Sequence, residues 1–82
     1  MTMNMYMIYD NAAEESGPVF EAKNDTIALR NYTKLLKDTE FADDFELYRV
    51  GWVDRRTMEI APLKPTKIDF AEPEENTEET PF

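Results

Sequence analysis

The sequence predicts an α+β fold, in which a small antiparallel sheet of order β-β-α-β-β carries one amphipathic helix on one face and is followed by a disordered acidic tail. Two pairs of strand-like segments flank one stretch with helical periodicity. At 82 residues, the chain has room for one domain. Acidic residues crowd the last fifth of the chain. We therefore expect a folded domain at residues 1–63 and a disordered tail at residues 64–82.

The predicted strands are short segments rich in apolar and aromatic residues. The four segments are residues 3–9, 18–22, 45–53 and 58–61. A turn across residues 10–17, which includes Ser16-Gly17-Pro18, joins the first two segments, and a turn at residues 54–57 joins the last two. Two hairpins on either side of one helix are typical of an α+β fold.

Residues 25–38 show the periodicity of an amphipathic helix. Asn24 can accept a hydrogen bond from a backbone N–H at the start of this helix, and Asp25 suits the positive first turn. One apolar arc of about 120° is formed by Ala28, Leu29, Tyr32, Leu35 and Leu36. The opposite side is basic, with Arg30, Lys34 and Lys37, and with Lys23 in line if the helix starts early. We expect the apolar arc to face the sheet.

The long strands are apolar on both faces. Strand alternation gives Met3, Met5, Met7 and Tyr9 opposite Tyr6 and Ile8, and it gives Tyr48, Val50 and Trp52 opposite Phe45, Leu47 and Val53. Because one helix covers one face, the second face is a dimer interface, a base-stacking platform or a surface partly covered by the tail. The short chain buries little surface, so we expect a homo-oligomer, either a dimer or larger.

The residue types exclude several kinds of catalysis. The chain has neither Cys nor His, which removes Cys–His and Ser–His pairs and zinc sites built from those residues. Its two glycines do not form a phosphate-binding loop. The densest carboxylates, Asp43, Asp44 and Glu46, fit a solvated loop better than a metal site. We expect no enzyme activity, no catalytic residues, no metal and no cofactor.

The N-terminal residues 1–9 are apolar but contain Thr and Asn and lack a basic flank, which is unlike a signal peptide. No segment approaches the ~20 apolar residues of a membrane span. We expect a cytosolic protein without membrane contact.

The acidic tail has an unusual end. Residues 66–82 contain one base and six acids, and the chain stops at Glu-Glu-Thr-Pro-Phe. This end resembles the C-terminal tip of bacterial single-stranded DNA-binding proteins, an acidic run followed by Ile-Pro-Phe, although Thr80 stands where Ile is usual. The resemblance implies that host replication proteins bind the tail through Glu78, Glu79, Pro81 and Phe82. In similar phage proteins the tail competes with DNA; a purely solubilising tail is the other interpretation.

A second resemblance lies in the domain. Met-Ile-Tyr-Asp at residues 7–10, Gly-Pro-Val-Phe-Glu-Ala-Lys-Asn-Asp at residues 17–25 and Leu-Tyr-Arg-Val-Gly at residues 47–51 are similar to the small non-structural protein of gokushovirus-type microviruses. That protein usually has Gly in its final hairpin turn, which Arg56-Thr57-Met58 lacks. These tailless phages have single-stranded DNA genomes. The resemblance implies a replication-associated, single-stranded DNA-binding phage protein in the host cytoplasm.

Two basic groups are candidates for contacts with DNA phosphates. The helix group is Lys23, Arg30, Lys34 and Lys37, and the hairpin group is Arg49, Arg55, Arg56 and Lys64. Stacking on bases is assigned to Tyr6, Tyr48 and Trp52. We favour the hairpin group, because it lies nearer Tyr48 and Trp52, the aromatic residues of the third predicted strand. Each group also fits a solvated face.

The alternative function is an acidic interaction protein that does not bind DNA. It would mimic DNA, or act as an adaptor that docks host replication proteins through Phe82. The net charge of −9 supports this alternative, because a nucleic-acid-binding domain usually has a basic face.

Overall fold

The computed structural model describes residues 2–69, which form one antiparallel sheet and one helix. The elements are β1 (Thr2–Asp10), β2 (Glu15–Ser16), β3 (Phe20–Ala22), α1 (Asp25–Leu36), a short 3₁₀ helix (Ala42–Asp44), β4 (Phe45–Asp54) and β5 (Glu59–Lys67). The predicted α+β class is confirmed. No helix within this range is long and apolar enough to cross a membrane.

The strand order in the sheet is β2-β1-β4-β5, and β3 also pairs with β1. Since β4 occupies one edge of β1 along its whole length, the short strands β2 and β3 share the other edge. The predicted second strand, residues 18–22, is confirmed only over β3, and the additional strand β2 lies within the predicted turn at residues 10–17. Pro18 lies between them, and its missing N–H suits a break in the pairing.

Helix α1 starts where the sequence predicts. The side chain of Asn24 accepts a hydrogen bond of 2.9 Å from the backbone N–H of Ile27. The helix ends at Leu36, two residues before the predicted end, and the N–H of Lys37 bonds to the carbonyl of Lys34 in a tightened last turn. The buried face is narrower than the predicted arc, since Leu35 is 67% exposed.

The core lies between α1 and the sheet. Its buried side chains are Tyr6, Ala22, Ala28, Tyr32 and Leu47. Partly buried apolar side chains surround them: Ile8, Phe20, Ile27, Leu29, Leu36, Phe45 and Ile68. The rings of Tyr6 and Phe20 stack with their centroids 5.7 Å apart. This single small core is what orients the helix on the sheet.

A bulge at Val50 interrupts β4. On the β1 side, Gly51 pairs with Met5 and Arg49 with Tyr6, so no residue of β1 pairs with Val50. The pairing with β5 shifts at the same place. One extra residue reverses the alternation of faces beyond it.

The bulge moves Trp52 to the opposite side of the sheet from Tyr48. Residues directly opposite each other on neighbouring strands share a face. Tyr48 pairs with Met7, whereas Trp52 pairs with Asn4, which shares a face with the buried Tyr6. The prediction that Tyr48, Val50 and Trp52 lie on one side is therefore wrong for Trp52. It is equally wrong for Val53, which pairs with Met3.

The last strand is longer than predicted. β5 runs to Lys67 instead of Ala61, and the N–H of Ile68 donates to the carbonyl of Leu47 at 2.8 Å. Pro62 and Pro65 lie within this strand. They are tolerated because β5 is an edge strand, in which alternate N–H groups face away from the sheet. The domain boundary at residue 63 stays a prediction, and residues 70–82 of the predicted tail lie outside the described residues.

The turn between β4 and β5 contains a residue in an unusual conformation. Met58 has a φ of 68°, in the left-handed region that favours glycine. Its N–H donates to the carbonyl of Asp54 at 2.7 Å, which closes the turn. A residue with a side chain in this conformation leaves backbone strain in the turn.

Gly51 is required by the close approach of β5. A Cβ at this position would lie 2.5 Å from the carbonyl oxygen of Ala61 and 3.2 Å from Cα of Pro62. We expect Gly51→Ala to lower the free energy of unfolding by about 1–3 kcal/mol, as measured by urea denaturation. Gly17→Ala is the matched control, because the nearest atom to its Cβ is 4.0 Å away. Similar losses in the two variants would contradict the close approach.

Candidate nucleic-acid interface

The carboxylate of Asp25 joins the first turn of α1 to the sheet. The hydroxyl of Tyr6 donates to Oδ1 at 2.6 Å, and the guanidinium of Arg49 donates to both oxygens at 3.0 and 3.1 Å. The side-chain amide of Asn4 donates to the Tyr6 hydroxyl at 3.1 Å. The cluster therefore links α1 to β1 and β4 at once.

This cluster changes the interpretation of two predicted DNA ligands. Tyr6 has no exposed surface, and Phe20 stacks on its ring, so no face of the ring is available to a base. Its assignment as a stacking residue is corrected for that reason. Arg49 is only 30% exposed, and Asp25 neutralises its charge. Arg49 is therefore already paired with a carboxylate within the fold, which makes it a weaker candidate for binding a phosphate.

The hydroxyl of Tyr6 is held in its neutral form. Burial raises the pKa of Tyr6 to about 12, and the hydrogen bond to the Asp25 carboxylate acts in the same direction. Loss of the proton would place an anion in the core beside Asp25, which explains the sign of the shift.

The predicted hairpin group is partly neutralised by carboxylates. The Nε–H of Arg55 donates a hydrogen bond of 2.9 Å to Oε1 of Glu21, and Nη2 of Arg55 lies 2.7 Å from the same oxygen. Arg56 lies exposed in the turn, where its backbone N–H bonds to Asp54. Lys64 is exposed on the edge strand β5. The carboxylates come from distant parts of the chain, so sequence reasoning missed them.

The aromatic residues expected beside the hairpin group are not brought together. Tyr48 donates its hydroxyl to Glu46 at 2.8 Å, which raises the pKa of Tyr48 and lowers the pKa of Glu46. Trp52 is 39% exposed and lies on the opposite side of the sheet, the side that carries α1. A single strand of DNA cannot stack on both rings through one face of the sheet.

The helix group forms a surface of a different kind. A groove along α1, called here the basic helix groove, is lined by Thr26, Leu29, Arg30, Thr33, Lys34 and Lys37. Three of its residues are basic and none is acidic. Among residues 2–69, no carboxylate makes an ion pair with the three bases, in contrast to Arg49 and Arg55. Lys23, just before the helix, is also exposed.

The acidic loop before β4 holds carboxylates from the densest acidic stretch in the sequence of the domain. Asp43 and Asp44 lie in the 3₁₀ helix, and Glu46 points instead to Tyr48 and Lys67. Within the part of the chain that the structure describes, no three acidic side chains are grouped to hold a metal ion. The tail residues assigned to partner binding, Glu78, Glu79, Pro81 and Phe82, lie outside the described residues and stay a prediction.

Comparison with known families identifies the class of protein. The model of the Phage ORF5 protein family matches residues 3–72, which is most of the chain. The chain therefore belongs to this family of phage proteins. No curated protein and no solved structure matches it.

The raised pKa of Tyr6 predicts a loss of stability in alkali. Its contribution is fully present below pH ~10, the ordinary tyrosine pKa, and is lost as pH rises toward the folded-state pKa of about 12. We expect the free energy of unfolding from urea denaturation to fall over this range.

In Tyr6→Phe this fall should become smaller, because the variant has no proton to lose at this position. Tyr9→Phe, which changes a tyrosine on the other side of β1, is the control. Some fall remains in both variants, since the pKa values of Tyr32 and Tyr48 are also raised. An identical pH dependence in Tyr6→Phe and the unmodified protein would contradict the assignment.

Proposed function

We propose that this chain is a replication-associated phage protein that coats single-stranded DNA, with the basic helix groove as its phosphate-binding surface. The observation that carries the proposal is the segregation of three bases from ion pairs: within residues 2–69 no carboxylate pairs with Arg30, Lys34 or Lys37, in a chain of net charge −9. No catalytic step is involved; binding would be stoichiometric.

Segregation matters because phosphates are repelled by an acidic protein unless positive charge is concentrated locally. Arg49, Arg55 and Lys67 each lie within 3.3 Å of a carboxylate, which cancels most of their attraction for phosphate. In the part of the chain that the structure describes, no carboxylate pairs with the lysines and arginine of the basic helix groove, so their attraction for phosphate is not cancelled in this way. The groove therefore takes the place of the hairpin group as the favoured site.

The position of Trp52 supports an extension of this site. Asn4 pairs with Trp52 on one side and with Ala22 on the other, and Lys23 follows Ala22. A strand that follows α1 from Lys37 toward its start would reach Lys23 and Trp52. Base stacking on an exposed indole adds to affinity without sequence preference. Tyr48 has no part in this path, because it lies on the other face.

Two resemblances support the ligand. Membership of a phage family is shown, and the similarity to gokushovirus-type non-structural proteins supports a single-stranded DNA genome and a host cytoplasmic location. The similarity of the C-terminal end to single-stranded DNA-binding proteins supports a regulatory or recruiting tail, with host replication proteins as its partners.

The basic helix groove is tested with fluorescently labelled oligo-dT and fluorescence anisotropy at several salt concentrations. We expect Lys34→Gln/Lys37→Gln to weaken binding by about tenfold or more, because two phosphate contacts are lost. The slope of log affinity against log salt should fall by about 1.4, at ~0.7 per phosphate for single strands.

The matched control is Arg55→Gln/Arg56→Gln, which removes the same amount of charge from the hairpin turn. We expect a smaller loss there, since Arg55 is already paired. Equal losses in the two variants would refute a localised groove. Absence of saturable binding by the unmodified protein would refute DNA binding and favour the acidic interaction protein.

The tail is tested by deleting residues 70–82. An end at Asp69 leaves β5 and the Ile68–Leu47 hydrogen bond intact, whereas the deletion of residues 66–82 suggested by the charge pattern would remove part of the strand. The deletion removes five glutamates and no base. We expect tighter oligo-dT binding in the same assay, with the greatest gain at low salt. Unchanged or weaker binding would contradict competition between tail and DNA.

A further inference from the structure

The face of the sheet opposite α1, called here the outer face, is not covered by any described element. Met7, Tyr9, Tyr48, Val50 and Pro65 line one groove on it. Strand pairing extends this apolar surface: it adds Met3, Met5, Val53, Ile60 and Pro62. The bulge at Val50 is what places Val53 here and moves Trp52 away.

The outer face is close to electrically neutral. Its charged side chains are joined in pairs: Glu46 to Lys67 at 3.3 Å, and Glu21 to Arg55 at 2.7 Å. The chain as a whole has a net charge of −9. Two copies would therefore repel each other through much of their surface but could approach through this face.

The core on the helix side is small. Among residues 2–69, five apolar side chains are buried, and two of these are alanines. Small domains bury a low fraction of their surface, so association that covers a second apolar face adds a large share of the total burial. The methionines of β1 on the outer face are partly exposed, and contiguous exposed apolar patches larger than a few hundred Å² are rare on monomeric proteins.

We propose that a second copy of this chain covers the outer face, so that the two sheets pack face to face in a symmetric dimer. In such a dimer the same surface is used by both copies. A strand of nine residues is about 30 Å long, and three strand columns span about 14 Å. The flat projection is roughly 400 Å², about half of the ~800 Å² per partner of a standard interface, so we expect a dimer that dissociates on dilution.

Two other occupants fit the outer face less well. The segment of residues 70–82 has five glutamates and no base. It would need unpaired cations, but Lys67 and Arg55 at this face already have carboxylate partners. Nucleic acid has the same requirement. A second copy presents a neutral apolar surface of matching extent, and this argument does not depend on DNA binding.

The first test is sedimentation velocity of the full chain over a wide range of concentration. We expect a monomer–dimer equilibrium. Met7→Lys should raise the dissociation constant of the dimer by about tenfold or more. Leu35→Lys is the matched control, since it also places a lysine at an apolar position, but on the exposed side of α1. A chain that is monomeric at all concentrations would overturn the proposal, as would equal weakening by the two variants.

The second test needs no variant, so it stands even if Met7→Lys fails to fold. Methyl NMR of the methionines should show shifts on dilution at Met3, Met5 and Met7. Met58, 81% exposed in the β4–β5 turn, is the internal reference. If dilution dissociates the dimer but leaves the methyl shifts of Met3, Met5 and Met7 unchanged, the proposal is overturned.

The same spectra distinguish the other occupants. Methyl shifts of Met3, Met5 and Met7 that stay constant on dilution but change when residues 70–82 are deleted would assign the face to the tail. Shifts of a monomeric chain on addition of oligo-dT would assign it to nucleic acid. Either result would overturn the dimer.

Discussion

The arrangement of the helix on the sheet depends on the Asp25 carboxylate. It lies in the first turn of α1 and accepts hydrogen bonds from Tyr6 in β1 and Arg49 in β4. Hydrogen bonds to an ionised group are stronger than those between neutral groups, and three of them converge on this carboxylate. The Tyr6 side chain is at the same time the largest of those that are fully buried. Polar and apolar contacts thus position the helix together, and its basic side is left facing outward.

The bulge at Val50 decides which chemistry each face of the sheet presents. One unpaired residue in β4 reverses the alternation, so Trp52 joins the helix side and Val53 joins the outer face. Without it, Tyr48 and Trp52 would lie on the same face of the sheet. With it, the outer face is apolar and neutral. Gly51 lets β5 approach closely next to this point.

The molecule therefore has two surfaces of different chemistry on opposite sides. The basic helix groove has three bases that make no ion pair within residues 2–69, and it suits phosphates. The outer face has apolar area but only paired charges, and it suits a second protein surface. A dimer formed through the outer face would leave the basic helix groove of each copy open to solvent. The two proposals for this member of the Phage ORF5 family are compatible, although each stands on its own observations.

The sequence by itself determined the α+β class, the start of α1 at Asn24 and the two apolar sets of β1, because each depends on neighbouring residues and their periodicity. It also determined the two groups of basic residues. Only the tertiary structure decided which group keeps its charge, since Arg49 and Arg55 meet carboxylates 24 and 34 residues away in the chain. The bulge and the proline-containing strand β5 were decided there too. Such features arise from pairing between strands, where register and edge position override local pattern.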